Sequence, residues 1–179
     1  MRVAIVHYWL VTMRGGEKVL EELCRAYPDA DIFTLVCDRE KLSPLLQSRV
    51  IHTSFLQKIP GATKHYAKLL PLMPFALEQM NLQDYDLIIS SESGPAKGIV
   101  PRPDAIHVCY CHSPMRYIWD HYHVYRDELG RVGRAMMTLA APRSYWKRTT
   151  CRPATPYGLW WRRQSWAAPC PAIPTPTKR

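Results

Sequence analysis

The chain has 179 residues, with 24 Lys and Arg against 15 Asp and Glu, a formal net charge of +9. Residues 1–128 hold 14 of the basic side chains and all 15 acids, whereas residues 129–179 hold 10 basic side chains and no acid. The first 128 residues are therefore close to neutral, which excludes a nucleic-acid-binding surface distributed over the whole chain and confines any such role to the basic end.

Arg2–Tyr8 is a short apolar run with β-branched residues and reads as a buried first strand. His7, Tyr8 and Trp9 interrupt it, and no small-residue cleavage site follows. It is thus too short and too polar for a signal peptide or a membrane span, and a cytoplasmic location is expected. Leu10–Gly16 forms a loop, after which Val19, Leu20, Leu23, Cys24 and Tyr27 recur at helical spacing until Pro28. Asp31–Cys37 is a second strand, 50–53 a short third one, and 85–90 and 105–111 two more. Strands that are apolar without alternation, separated by helical segments, predict an α/β fold. Its core is a Rossmann-like parallel sheet with helices on both faces.

Such sheets bind ligands beyond the carboxyl ends of their strands, which directs attention to segments 9–17, 37–44, 90–98 and 111–119. In the first, Arg14-Gly15-Gly16-Glu17 opens a helix after a strand. Paired glycines allow a tight turn and bring free N–H groups and the helix dipole close to an anion. The motif is not GxGxxG, so a dinucleotide site is not implied. Ser90-Ser91-Glu92-Ser93-Gly94-Pro95 suits a helix start lining a polar cleft, or simply a cap and turn. In the last segment His112 is the first residue beyond a strand, where an imidazole can hydrogen-bond a sugar hydroxyl or a phosphate at neutral pH; taken alone, a structural histidine with its hydrogen bonds satisfied is the default reading. Arg116 and Tyr117 fall in the next turns and are candidate contacts for an acceptor or an anion. The Cys109, Cys111 and His112 spacing fits no common zinc site, so no metal is expected. The six cysteines form no CxxC pair and read as reduced thiols.

Between these segments, Lys58, Lys64, His65 and Lys68 precede the apolar run Leu69–Phe75. The first reading is a core-facing helix with a solvated cationic face. The second is a peripheral contact with a membrane or a lipid-linked acceptor.

The end of the chain differs in kind. Residues 141–179 contain seven prolines and four of the six tryptophans, with Leu159 and Ile173 the only members of the Val/Ile/Leu/Met set. Two units are therefore expected: a Rossmann-like domain over 1–141 and a Pro/Arg/Trp-rich tail over 142–179, disordered or out of frame. Arg152, Arg162 and Arg163 beside Trp160, Trp161 and Trp166 give the tail the look of a cation-and-stacking patch. Composition favours the disordered reading over nucleic-acid binding.

The blocks MRVAIVHYWL, RGGEKVLEEL, DIFTLVCD, YDLIISSESGPAKG and HVCYCHSPMRYIWD together resemble the N-terminal domain of family 4 glycosyltransferases. These are retaining, nucleotide-sugar-dependent enzymes of GT-B fold, and the mannosyltransferase-like enzymes of surface-polysaccharide assembly are the subgroup most alike. The resemblance covers about residues 1–140. It implies that Gly15 and Gly16 approach the donor diphosphate, and that His112 is the active-site histidine near the transferred sugar. The nucleotide sugar is then a substrate, a glycan or lipid-linked acceptor its partner in the reaction, and no cofactor or catalytic metal is needed. The location is cytoplasmic, with the inner membrane face as a peripheral site.

Family members also carry a donor-binding C-terminal domain with two glutamates separated by seven residues. No acid follows Glu128, so that motif is absent here. The expectation is a frameshift near residues 140–145 and a fragment inactive on its own. The alternative is a non-enzymatic binding module: a half-protein that pairs with a separate donor domain, or a tail that binds nucleic acid. The helix expected over 127–140 would keep an apolar face, which promotes association.

Overall fold

The computed structural model describes residues 1–92, 95–112 and 158–163. Within them the chain runs through strand β1 (Val3–Leu10), helix α1 (Gly15–Ala26), β2 (Asp31–Cys37), the single turn α2 (Pro44–Gln47) and β3 (Ile51–Thr53). It continues through α3 (Ala62–His65), α4 (Met73–Glu78), β4 (Leu87–Glu92), a 3₁₀ turn at Pro95–Gly98, and β5 (Ile106–Cys111). The sheet order is β3-β2-β1-β4-β5-β6, where β6 is Gly158–Arg163. The first five strands are parallel to their neighbours, and β6 lies antiparallel to β5. A parallel sheet with helical connections is the α/β architecture that the unalternating strands predict.

Two apolar layers explain why those strands lack alternation. On one face, Ile5, Leu10, Ile32 and Ile89 meet Leu20 and Cys24 of α1 and Leu46 of α2. On the other, Ala4, Val6, Leu35 and Ile88 meet Leu56, Ala62, Met73, Ala76 and Leu77. Ile5 lies beside Ile32 in one neighbouring strand and Ile89 in the other, and all three belong to the α1 face. Each such aliphatic contributes about 1.5–3 kcal/mol by leaving water, so the paired layers fix the register more firmly than hydrogen bonds alone. Helix α1 ends where Pro28 forbids a further turn, with the Tyr27 N–H closing on the Leu23 carbonyl at 2.9 Å.

The segment read as one core-facing helix before Phe75 is instead a series of short pieces. They are 3₁₀ turns at Phe55–Lys58 and Tyr66–Leu72 with α3 and α4. Pro60, Pro71 and Pro74 interrupt the ladder at intervals too close for a longer helix. Leu56, Ala62, Met73, Ala76 and Leu77 nevertheless face inward, while Lys58, Lys64, His65 and Lys68 are exposed, so the two-sided character is as expected. Of the two readings for the segment after β4, the turn is the one seen, since Pro95–Gly98 makes a 3₁₀ turn.

At the amino edge of the sheet a polar cluster aligns the strand starts. The Asp86 carboxylate accepts from the Arg2 backbone N–H at 2.7 Å and from the Arg102 guanidinium at 2.6 Å. Backbone bonds from Asp86 N–H to the Arg2 carbonyl (2.9 Å) and from Ile106 N–H to the Asp86 carbonyl (2.8 Å) tie β1, β4 and β5 at the same level. The Tyr85 hydroxyl donates to Asp31 at 2.6 Å, bringing in β2.

Of the tail expected over 142–179, the described part is β6, paired with β5 from Gly158 opposite Cys111 to Arg163 opposite Ile106. The remaining expectations for the tail, the helix expected over 127–140, and Arg116 and Tyr117 lie outside the described residues.

Candidate functional site

Strand order locates the site before any side chain is considered. From β1 the chain passes through α1 to β2 on one side, while β4 adds to β1 on the other. The connections leaving the carboxyl ends of β1 and β4 therefore diverge, which makes this the topological switch point of the sheet, the place where such folds bind ligands. Four residues meet there: His7 of β1, Gly16 in the first turn of α1, Ser91 of β4 and His112 just beyond β5.

His7 is fully buried, and Ser91 is buried beside it. Val6 pairs with Ser90 in the β1–β4 ladder, which brings His7 level with Ser91. The His7 Nδ1 lies 2.5 Å from the Ser91 carbonyl oxygen. A carbonyl oxygen only accepts, so Nδ1 carries the proton and Nε2 carries the lone pair. The Ser91 side chain turns to the next strand, its Oγ 3.0 Å from Nε2 of His112. Ser91 thus holds both imidazoles, one through its carbonyl and one through its hydroxyl. The neighbouring Ser90 Oγ lies 2.9 Å from Nε2 of His107.

Gly16 closes the group. A methyl group placed on it would lie 3.5 Å from Cε1 and 3.9 Å from Nε2 of His7, and 3.8 Å from Nε2 of His112. One placed on Gly15 would meet nothing within 4 Å. Among the described residues only Gly61 has a positive φ. The paired glycines thus do not serve a tight turn, as the sequence suggested; they lie within the first turn of α1. What Gly16 contributes is the missing side chain, which leaves one atom's width between the backbone and two imidazoles. The N–H groups of that turn have no intrahelical acceptor and carry the positive end of the helix dipole. Glu17 partly offsets this: its buried carboxylate caps the helix by accepting from the Arg14 N–H at 2.9 Å.

Both histidines are neutral at pH 7. Burial pushes His7 down to about 4, opposed by its bond to the Ser91 carbonyl and reinforced by His112. Burial also lowers His112, with the Glu17 carboxylate acting against it. The site therefore presents a positive helix end and uncharged imidazoles. It can attract an anionic group by dipole and N–H donation, and it can exchange hydrogen bonds with hydroxyls. Cys24 and Cys37 offer no rival chemistry, because burial raises Cys24 to about 11 and also raises Cys37.

Of the residues singled out in the sequence, Gly16 and His112 come together, and Gly15 stands at the open side of the same helix end. The loop after β2 does not join them. The last residue of β2 is taken up by Gln57, whose amide accepts from the Cys37 N–H at 2.7 Å and donates to the Cys37 carbonyl at 3.0 Å. His7 is the residue the sequence reading missed as part of the site. A histidine inside a strand buried on both faces was the available signal, since a polar side chain there needs a partner or a purpose. Among the described residues, no group of three or more His, Cys, Asp or Glu is placed to hold a metal ion. Nor is any helix among them long and apolar enough to cross a membrane. Comparison with protein-family models, curated proteins and solved structures gives no match for this chain.

Proposed function

We propose that this chain is the acceptor-side domain of a retaining, nucleotide-sugar-dependent glycosyltransferase of family 4, mannosyltransferase-like, within a GT-B architecture. The observation that carries the reading is the meeting of Gly16 and His112 at the switch point of a parallel sheet. The two residues come from motifs nearly a hundred positions apart, and both motifs belong to the resemblance. In this reading the first turn of α1 receives the donor diphosphate, with N–H groups and dipole supplying the attraction. His112, neutral and oriented by Ser91, hydrogen-bonds the sugar beside it. Preorganised donors and fixed dipoles in a half-buried cleft are the contribution such a domain makes to transition-state stabilisation.

The test is a binding titration of the full chain with a nucleoside-diphosphate sugar, with pyrophosphate as competitor. Saturable binding displaced by pyrophosphate is expected, with His112→Ala weakening the nucleotide sugar about tenfold, the worth of one net hydrogen bond. Pyrophosphate affinity should change little in that variant. Absence of saturable binding for both ligands would remove the reading.

A further inference from the structure

His7 stands outside the resemblance-based roles, yet it is the most buried polar group of the site. Its Nδ1–H is committed to the Ser91 carbonyl at 2.5 Å, which fixes the tautomer and leaves Nε2 as a lone-pair acceptor. That Nε2 is buried and has no hydrogen-bond partner among the described residues. A buried acceptor without a donor is costly, on the order of 1–3 kcal/mol, and such groups mark places where a partner arrives from outside the fold. The space over Gly16 that a methyl group would fill is bounded by Nε2 of His7 and Nε2 of His112.

From this geometry we infer that His7 accepts a hydrogen bond from a hydroxyl group of the ligand whose anionic group is held at the first turn of α1. The inference rests on the anion-binding reading given above and goes further, because it divides the site into two halves of different chemistry. N–H groups of the helix turn donate, so they select oxygens that accept, such as those of a phosphate. The His7 lone pair accepts, so it rejects an unprotonated phosphate oxygen and selects a group bearing a hydrogen. Imidazole in this environment stays neutral at working pH and does not become a cation for the phosphate. It is also too weak a base to remove a hydroxyl proton, so His7 is a positioning and specificity residue and takes no part in proton transfer. A ligand that satisfies both halves carries a phosphate and a hydroxyl within a few bonds of each other, which is the pattern of a sugar phosphate.

Three probes separate the halves. Methyl phosphate offers the anion alone, while mannose 1-phosphate and glucose 1-phosphate offer the anion and neighbouring hydroxyls. Each is titrated at pH 8, where all are dianions, into the full-length chain carrying ¹⁵N-labelled histidine. The expected result is that at least one hexose phosphate binds about tenfold more tightly than methyl phosphate. The His7 Nε2 resonance should move upfield with that hexose phosphate and stay in place with methyl phosphate. His7→Asn keeps a donor for the Ser91 carbonyl and deletes the Nε2 acceptor; it should bring the two affinities together and leave methyl phosphate unaffected. His7→Gln, which returns an acceptor near the Nε2 position, should restore part of the preference.

The Nε2 resonance of the wild-type chain decides the matter even if His7→Asn does not fold. Equal affinity for the two kinds of phosphate, with Nε2 unmoved, overturns the role of His7 and leaves the anion site standing. A preference for hexose phosphate that survives in His7→Asn does the same. If no phosphate binds, the anion site falls and this inference falls with it.

Discussion

The two edges of the parallel sheet use polar groups in opposite ways. At the amino edge Asp86 accepts from the Arg2 backbone N–H and pairs with Arg102, which is partly open to solvent and whose Nε, without a well-aligned hydrogen bond, still faces the Asp104 carboxylate at 2.7 Å. Their contacts hold strand starts at a common level. At the carboxyl edge His7, Ser91 and His112 are buried or half-buried and uncharged, and one of their acceptors lacks a donor among the described residues. A cluster whose members satisfy each other has finished its work when the chain folds. A cluster that leaves a buried lone pair unanswered beside a helix end retains capacity for something else. The contrast shows which polar cluster in an α/β sheet serves register and which serves a ligand.

The largest test of that contrast is acid stability. Because the His7 pKa in the fold lies near 4, below its ordinary value of 6.5, the unfolded chain binds more protons between those limits. Stability from keeping His7 neutral is complete above about pH 6.5 and is lost as pH falls toward 4. The loss amounts to about 3 kcal/mol across that window. His112 is displaced in the same direction and adds to the same slope. Urea unfolding followed from pH 7 to pH 4 measures it, and His7→Gln should remove most of the slope. A profile as steep in His7→Gln as in the wild type would mean that carboxylates, not the carboxyl-edge imidazoles, govern acid unfolding.

How much of this was legible beforehand follows from the kind of signal each part leaves. The five parallel strands and α1 were readable because burial on both faces writes long apolar runs, such as DIFTLVC, and α1 writes a 3.6-residue period. The segment from Phe55 to Glu78 was harder. Its apolar residues satisfy a helical pattern, but the closely spaced prolines cut it into turns, and tertiary contacts of Leu56, Met73 and Leu77 set where each turn lies. Gly16 and His112 were legible as residues beyond strand ends, where the fold class predicts ligands. Their separation in space depends on sheet order, which neither motif encodes. His7 left only a polar letter in an apolar run, and its meaning depends on the Ser91 carbonyl of a strand 84 residues away. For the glycine pair only the tight turn is revised, for a related reason: sequence shows that a side chain is missing, and only packing shows whether φ or space required it.

A smaller effect separates those two glycines and sharpens the account of the carboxyl edge. Gly15 and Gly16 both have φ values open to alanine, so either substitution reduces the freedom of the unfolded chain. Gly15→Ala meets no neighbour and should stabilise the protein by about 0.5 kcal/mol while leaving phosphate binding intact. Gly16→Ala meets both imidazoles at ordinary contact distance and should fold equally well. Its methyl group would, however, crowd the approach to both imidazoles, and should weaken a hexose phosphate more than methyl phosphate. Denaturation curves and titrations with mannose 1-phosphate and methyl phosphate on the two variants distinguish a shaped site from a flexible loop. Equal binding in both would show that the space over Gly16 is not used.

The smallest effect belongs to the amino edge. Asp86 is held below the usual carboxylate range, first by the Arg2 backbone N–H and then by Arg102. A depressed carboxyl contributes stability above its unfolded value and loses it as pH falls through the folded one, so this contribution disappears below the window in which His7 acts. Asp86 is solvent-exposed, and its pairing with Arg102 is screened by salt. Asp86→Asn keeps an oxygen that can accept from the Arg2 N–H and removes only the charge. It should lower the melting temperature slightly in dilute buffer and hardly at all in 1 M sodium chloride. Phosphate binding should be unchanged, since the altered group lies at the other end of the strands. A fall in phosphate affinity on Asp86→Asn would join the two edges energetically, and the separation between a register cluster and a ligand cluster would no longer hold.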